Sequence, residues 1–295
     1  MPKKAGGDAF QLTLKRLSEV SRKQYDNPYE AVEWPDKLDE AAWLTSPELI
    51  SLYGTELYAS LAESQRKRLA FFEAVNFFSL NIHGEKSLVE GLAHRLYAQE
   101  TPEISEYLHH FLDEENKHMV YFGGFCQRYA GKIYADRKLT VPREYAPGEE
   151  ELLFFAKVMI FEEIVDVYNR KMADDERLAP VARRINWLHH RDEARHLVFG
   201  RETVARLAQR SLPAWDDDTR SRVRRYLSDY VEATWKEFYN PDVYADAGIA
   251  EPYAAQRAAW AHSACREHRR AVAEPCVSFL RKHNLWENGE DESRA

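Results

Sequence analysis

Little in this 295-residue chain would break a helix or crosslink one: it holds 12 glycines, 12 prolines and three cysteines. Sparse breakers among long stretches of Ala, Leu, Glu, Arg and Lys point to an all-α protein. Cys126, Cys265 and Cys276 are odd in number and share no paired spacing, which argues against a disulfide framework and against a cysteine zinc cluster. No run approaches the roughly 18 apolar residues of a membrane helix, and the opening MPKKAGGDAFQLTLKRLSEV has no uninterrupted apolar stretch. A soluble, cytoplasmic protein without a membrane partner is expected. An excess of positive charge is missing too: the net charge is -8, so no basic field gathers nucleic acid.

What the chain does have is 44% hydrophobic and 31% charged residues, enough for one large core. A single domain over residues 1–285 is expected, followed by a disordered tail at 286–295. Residues 26–46 carry two prolines and aromatics without a period, which predicts an irregular arm after a short N-terminal helix. Ser46-Pro47-Glu48 reads as the cap and first turn of a helix. Longer helices are expected at roughly 66–99, 103–131, 149–173, 177–210, 217–238 and 252–284. Short links between them make sequential helices antiparallel neighbours, while the irregular 132–148 segment is free to cross from one pair to the other.

One signature occurs twice: Glu115-Asn116-Lys117-His118 and Glu193-Ala194-Arg195-His196. Glu and His three residues apart share a helix face. Each pair borders a stripe of apolar residues, and a charged group there needs a partner. A single copy reads as an exposed intrahelical pair; two copies on separate helices match the pattern of a two-metal site in a helix bundle, completed by one Glu from each of two further helices.

Periodicity selects those two. Phe78, Ile82, Glu85, Val89, Leu92 and Leu96 advance by alternating fours and threes, so Glu85 interrupts a buried stripe. Glu90 shares a polar face with Lys86 and His94. Glu73 lies about 28 residues before the turn near 101, whereas Glu85 lies about 16 before and Glu115 about 14 after, so at ~1.5 Å per residue only Glu85 matches in height. In the third helix Glu162 aligns with Phe155, Val158 and Val165 and is preferred to Glu163. Four glutamates would be neutralised by two divalent ions, and oxygen ligands with imidazole suit iron or manganese better than zinc. Glu114 and Asp192 each precede a signature Glu, where they could accept a hydrogen bond from the histidine of the opposite motif or stand as plain surface acids. His189 shares a face with Glu193 and His196, which suits either a third imidazole ligand or a core histidine bonded to a neighbour.

The set Glu85, Glu115, His118, Glu162, His189, Glu193 and His196 resembles the four-Glu, three-His pattern of diiron N-oxygenases of the p-aminobenzoate N-oxygenase type. The resemblance runs from about residue 45 to 250, and the stretches SPELISLYGTEL and FYNPDVYADAGI also look like family segments; the interval from Glu85 to Glu115 is shorter than the family's. It implies a ferritin-like four-helix bundle with additional N- and C-terminal helices, holding two iron ions, with manganese possible. It implies an enzyme fed by an electron donor that takes up dioxygen, forms a peroxo-diferric species and oxidises an amine, often an arylamine, to hydroxylamine and nitro. A homodimer is expected from bundles of this kind. Rival readings are another diiron oxidase, such as a hydroxylase, desaturase or carbon-carbon cleaving enzyme, and a ferritin-like iron-handling protein.

Overall fold

A computed structural model describes residues 5–98, 102–136 and 143–287. The tail expected at 286–295 falls almost wholly outside the described residues. Helices account for the architecture: α1 (Ala5–Lys23), α2 (Glu56–Ser60), α3 (Glu63–Arg95), α4 (Ser105–Phe125), α5 (Glu149–Asp174), α6 (Pro180–Ser211), α7 (Asp217–Phe238), α8 (Pro241–Ala247), α9 (Pro252–Ala261) and α10 (Ser263–Lys282). No strand occurs among the described residues.

Local chemistry sets the ends of these helices. Gln65 reaches back to accept from the Ala62 N–H at 2.9 Å ahead of α3, and Asp216 accepts from the Thr219 N–H at 2.8 Å to open α7. Pro180 and Pro241 occupy first-turn positions where no N–H is needed. The helix expected at 252–284 is two helices. His262 is extended between them, and its side chain accepts from the Ala264 N–H at 3.3 Å, so it caps α10 instead of continuing α9. Nor does Ser46 cap a helix: Pro47–Leu49 is a single 3-10 turn, and the Ser46 hydroxyl donates to Asp175 at 2.6 Å. That bond, with Trp43 N–H to Arg177 O at 3.0 Å and Ala179 N–H to Trp43 O at 2.8 Å, straps the irregular arm to the α5–α6 link.

Helices α3 to α6 form the central bundle. Glycines 84 and 91 of α3 lie against Phe161 and Phe154 of α5, while Phe77 stacks on Tyr168, with ring centroids 5.6 Å apart. The partner moves back along α5 as the position advances along α3, so the two run antiparallel. Phe111 meeting Phe199 and His118 meeting Asp192 make α4 and α6 antiparallel in the same way. Helices α4 and α5 therefore lie diagonally and point the same way, which requires a crossover between Gly131 and Gly148. Outside this bundle, α1 packs on α4 and α6, and α7, α8 and α10 cover α3 and α5. Buried apolar side chains from Phe10 to Trp286 join in one cluster.

Candidate metal centre

The seven residues singled out by spacing come from all four central helices and meet at one height. Glu85 projects from α3, Glu115 and His118 from α4, Glu162 from α5, and His189, Glu193 and His196 from α6. Each is at least 95% buried, and carboxylates left in such a place must be compensated. Ligand atoms of Glu85, His118 and His189 lie within 4.8 Å of one another, as do those of Glu115, His118 and Glu193, and those of Glu115, Glu162 and His196. His196 Nδ1 approaches Glu115 Oε1 at 2.8 Å and Glu193 Oε1 at 3.3 Å, while His118 Nδ1 lies 3.5 Å from Glu115 and 3.6 Å from Glu85.

The decisive observation is what these atoms lack. Both carboxylate oxygens of Glu85, Glu162 and Glu193, one of Glu115, and Nδ1 of His118 and of His196 are buried without a hydrogen-bond partner. The large majority of buried polar atoms in folded proteins are satisfied, so a set of orphans converging on one point marks a place built for something else. Four carboxylates and three imidazoles offer the donor set that iron or manganese prefers, and two divalent ions would balance the four carboxylate charges.

The neighbouring glutamates sort themselves. Glu163 turns from the cluster and takes Arg201 of α6 in a bidentate pair, both N···O distances being 2.6 Å. Glu90 is exposed. Glu73 is as buried as the cluster but three turns away on α3, bonded to Ser51.

A ring of hydrogen bonds holds the outer nitrogens. Glu114 lies 2.9 Å from His196 Nε2, and Asp192 lies 3.4 Å from His118 Nε2, so each acid serves the histidine of the opposite motif. Arg195 joins them: one guanidinium nitrogen donates to Glu114 at 2.6 Å and to Asp192 at 2.7 Å. Its role was not foreseen, although two buried acids beside ligand positions call for a countercharge and Arg195 is the cation between Glu193 and His196. Asn169 was likewise missed; its Nδ2 lies 2.7 Å from His189 Nδ1.

Electrostatics follow from this arrangement. Burial pushes the Glu85 and Glu162 carboxyls well above the usual carboxylate range, and negative neighbours, Glu115 and Glu193 respectively, add to it. Burial opposes charge on Glu193 as well, but His196 and His189 outweigh it and hold that carboxyl well below its ordinary value. For His118 and His196 burial is again outweighed, here by the surrounding carboxylates, and both imidazoles are raised well above the usual range.

A cavity of about 220 Å³ reaches the cluster between α3 and α5. Glu85, Glu115, Glu162, His189 and Glu193 form its polar end, and Leu88, Phe154, Val158, Phe161, Val165 and Tyr230 its apolar walls. A Cβ at Gly84 would lie 2.7 Å from the Phe161 ring, so a larger residue there must displace that ring. A larger depression of about 960 Å³, between the arm and the start of α6, touches none of the cluster.

With this geometry in hand, comparison with known proteins gives three findings. The profile of the family described as P-aminobenzoate N-oxygenase AurF matches residues 8–284. Uncharacterized proteins of Mycobacterium tuberculosis and Mycobacterium bovis are 24% identical over 205 residues, covering 64% of this chain; the chain spans 58% of the length of those curated relatives. Among solved structures, a variant of an R2-like ligand-binding oxidase with an aerobically reconstituted Mn/Fe cofactor superposes with a TM-score of 0.51 at 16% identity, covering 93% of both chains. That likeness is one of fold, and the fold is the ferritin-like helix bundle expected from the sequence.

Proposed function

This chain belongs to the p-aminobenzoate N-oxygenase family, and from that premise we propose that it is a dioxygen-dependent diiron enzyme that oxygenates the nitrogen of a small aromatic amine. The observation that carries the reading is the convergence of unpartnered, buried carboxylate and imidazole atoms at one end of a cavity that is walled in part by aromatic and aliphatic side chains. Glu85, Glu115, His118, Glu162, His189, Glu193 and His196 would together hold the pair of ions. When bound, the pair of iron ions, or a manganese and iron pair, supplies reduction of dioxygen and delivery of one oxygen atom.

The protein's own contribution is positional. Phe154, Phe161 and Tyr230 wall a space wide enough for one aromatic ring and aim its amine at the open side of the cluster. Buried apolar side chains around the cluster exclude water from the reacting atoms. Glu114 and Asp192, locked by Arg195, keep the outer nitrogens of His196 and His118 occupied, so that their Nδ1 atoms stay aimed inward. The first oxygenation consumes an amine, dioxygen, two electrons and two protons and yields a hydroxylamine and water, so a reductant must serve the site.

The test is iron content followed by product mass. About two irons per chain, and conversion of 4-aminobenzoate or a similar arylamine under single turnover to a product heavier by one oxygen from labelled dioxygen, is the expected result. Two irons with dehydrogenation or carbon oxygenation of the same probes would move the reading to another diiron oxidation. Absence of stoichiometric metal would overturn the centre itself.

A further inference from the structure

Asn81 lines the cavity without belonging to the cluster. It stands on α3 one turn before Glu85, and Asn81, Gly84, Glu85 and Leu88 follow the three-and-four spacing of a single helix face, the one α3 turns to the cavity. The side chain is 1% exposed, and its Nδ2 donates to the Phe77 carbonyl at 2.7 Å. A carbonyl only accepts, so that bond fixes which end of the amide is the NH2. Oδ1 is left buried with no hydrogen-bond partner. An acceptor stranded in this way destabilises the fold, unless a donor comes to it with whatever enters the cavity.

Its place along the cavity indicates which donor. Gly84 lies against Phe161 and Gly91 against Phe154, so on these antiparallel helices Leu88 stands about level with Val158, and Asn81 with Val165. Leu88, Phe154 and Val158 thus wall the cavity on one side of Glu85 along the helix axis, and Asn81 lies on the other, about 6 Å beyond it. A ring held among those walls with its nitrogen turned to Glu85 and Glu162 directs that nitrogen onward to Asn81. A primary arylamine brings N–H donors and a nitrogen lone pair. One N–H given to Oδ1 satisfies the acceptor and steadies the nitrogen beside the cluster while its lone pair stays free. A hydroxylamine still carries one N–H and can be held in the same way. Tertiary amines and hydrocarbons bring no such donor and leave the amide oxygen stranded.

We propose that Asn81 is a specificity-determining residue, whose Oδ1 accepts an N–H of the substrate and so selects amines that carry at least one hydrogen on nitrogen. The proposal rests on the cavity being the site of an arylamine.

The experiment measures binding to the iron-loaded full chain without reductant, by calorimetry, so that no turnover intervenes. Two pairs of probes are compared: 4-aminobenzoate with 4-methylbenzoate, and aniline with toluene. Methyl matches the amino group in size but donates nothing. Wild type should prefer the amino member of each pair. Asn81→Leu, close in size, and Asn81→Ala should each lose about 10-fold or more of that preference at unchanged iron content, because the amine then has no acceptor. If both variants keep the wild-type preference, or wild type has none, the proposal is overturned while binding of the arylamines still supports the site. If wild type binds neither member of either pair, the arylamine reading itself fails and the proposal falls with it.

Discussion

Glu73 offers a test of the interior that does not depend on metal. Its carboxyl is buried in α3, where it accepts hydrogen bonds from the Ser51 N–H at 3.2 Å and from the Ser51 hydroxyl, whose oxygen also lies 2.7 Å from the Tyr244 hydroxyl. Burial pushes it up to about 7, against 4.5 for a free carboxyl; the Ser51 bonds only partly oppose this. The folded state thus holds a proton that the unfolded chain has released. Stability from this group is fully present below about pH 4.5 and is lost as pH rises through 7. A difference of about 2.5 units corresponds to roughly 3 kcal/mol in total, most of it falling between pH 5 and 8.

Glu73→Gln replaces the protonated acid with an uncharged near-isostere that cannot titrate. The Gln oxygen can accept both Ser51 bonds. Thermal unfolding of both forms at half-unit steps from pH 5 to 8 should show the variant gaining on wild type as pH rises, by roughly 2 to 3 kcal/mol, or about 4–12 °C for a chain of this size. Effects of pH on the cluster cancel in the comparison, because Glu85 is twelve residues, ~18 Å, along the helix. A gap that stays constant across this range would refute the raised carboxyl and the buried neutral acid with it.

Arg195→Met should leave Glu114 buried without its guanidinium partner and Asp192 with Arg191 alone; a loss of about 3 kcal/mol and a marked fall in iron affinity are expected in calorimetry and metal titration, with Arg195→Lys in between. Glu162→Gln and Glu163→Gln should separate cleanly although the residues are adjacent: iron content should fall for the first and stay near wild type for the second, whose carboxylate is engaged by Arg201. Equal losses would contradict the orientation of α5. Gly84→Ala should drive the Phe161 ring toward the cavity, lowering kcat/KM for larger arylamines more than for small ones at unchanged iron content. Unaltered selectivity would remove Phe161 from the substrate wall.

Residues whose signal is periodic are legible in the sequence. Glu85 stood out because a charge replaced an apolar residue in the Phe78–Leu92 stripe, where Phe78, Glu85 and Leu92 are buried and Ile82 and Val89 half-buried. Glu162 was preferred by the same logic, and its carboxylate faces the cluster while that of Glu163 does not. What periodicity cannot express is a partner on another helix. The Glu163–Arg201 pair, the Asn169–His189 contact and the Arg195 bridge to Glu114 are all side chains meeting across an interface whose rotation the sequence does not record. Breaks made by one local hydrogen bond were also hidden: His262 ends one helix and caps the next through its own ring, and Ser46 spends its hydroxyl on Asp175.

The echo between LHHFLDEENKH and LHHRDEARH shows how such cross-helix chemistry reshapes a repeated motif. Both copies keep an acid before the signature Glu, and each acid crosses to the other copy's histidine. Symmetry would then ask for a cation in each copy, at Arg195 and at Lys117. A guanidinium offers several donors in a fixed plane, so Arg195 reaches both acids at once, and Arg191 of the same copy adds a second contact to Asp192 at 2.9 Å. Lys117 instead pairs with Asp113 one turn earlier and lies 3.9 Å from the centre of the Tyr25 ring at the start of the arm. The position that secures the histidines in one copy anchors the N-terminal arm in the other, so an imperfect repeat still yields a fully supported centre.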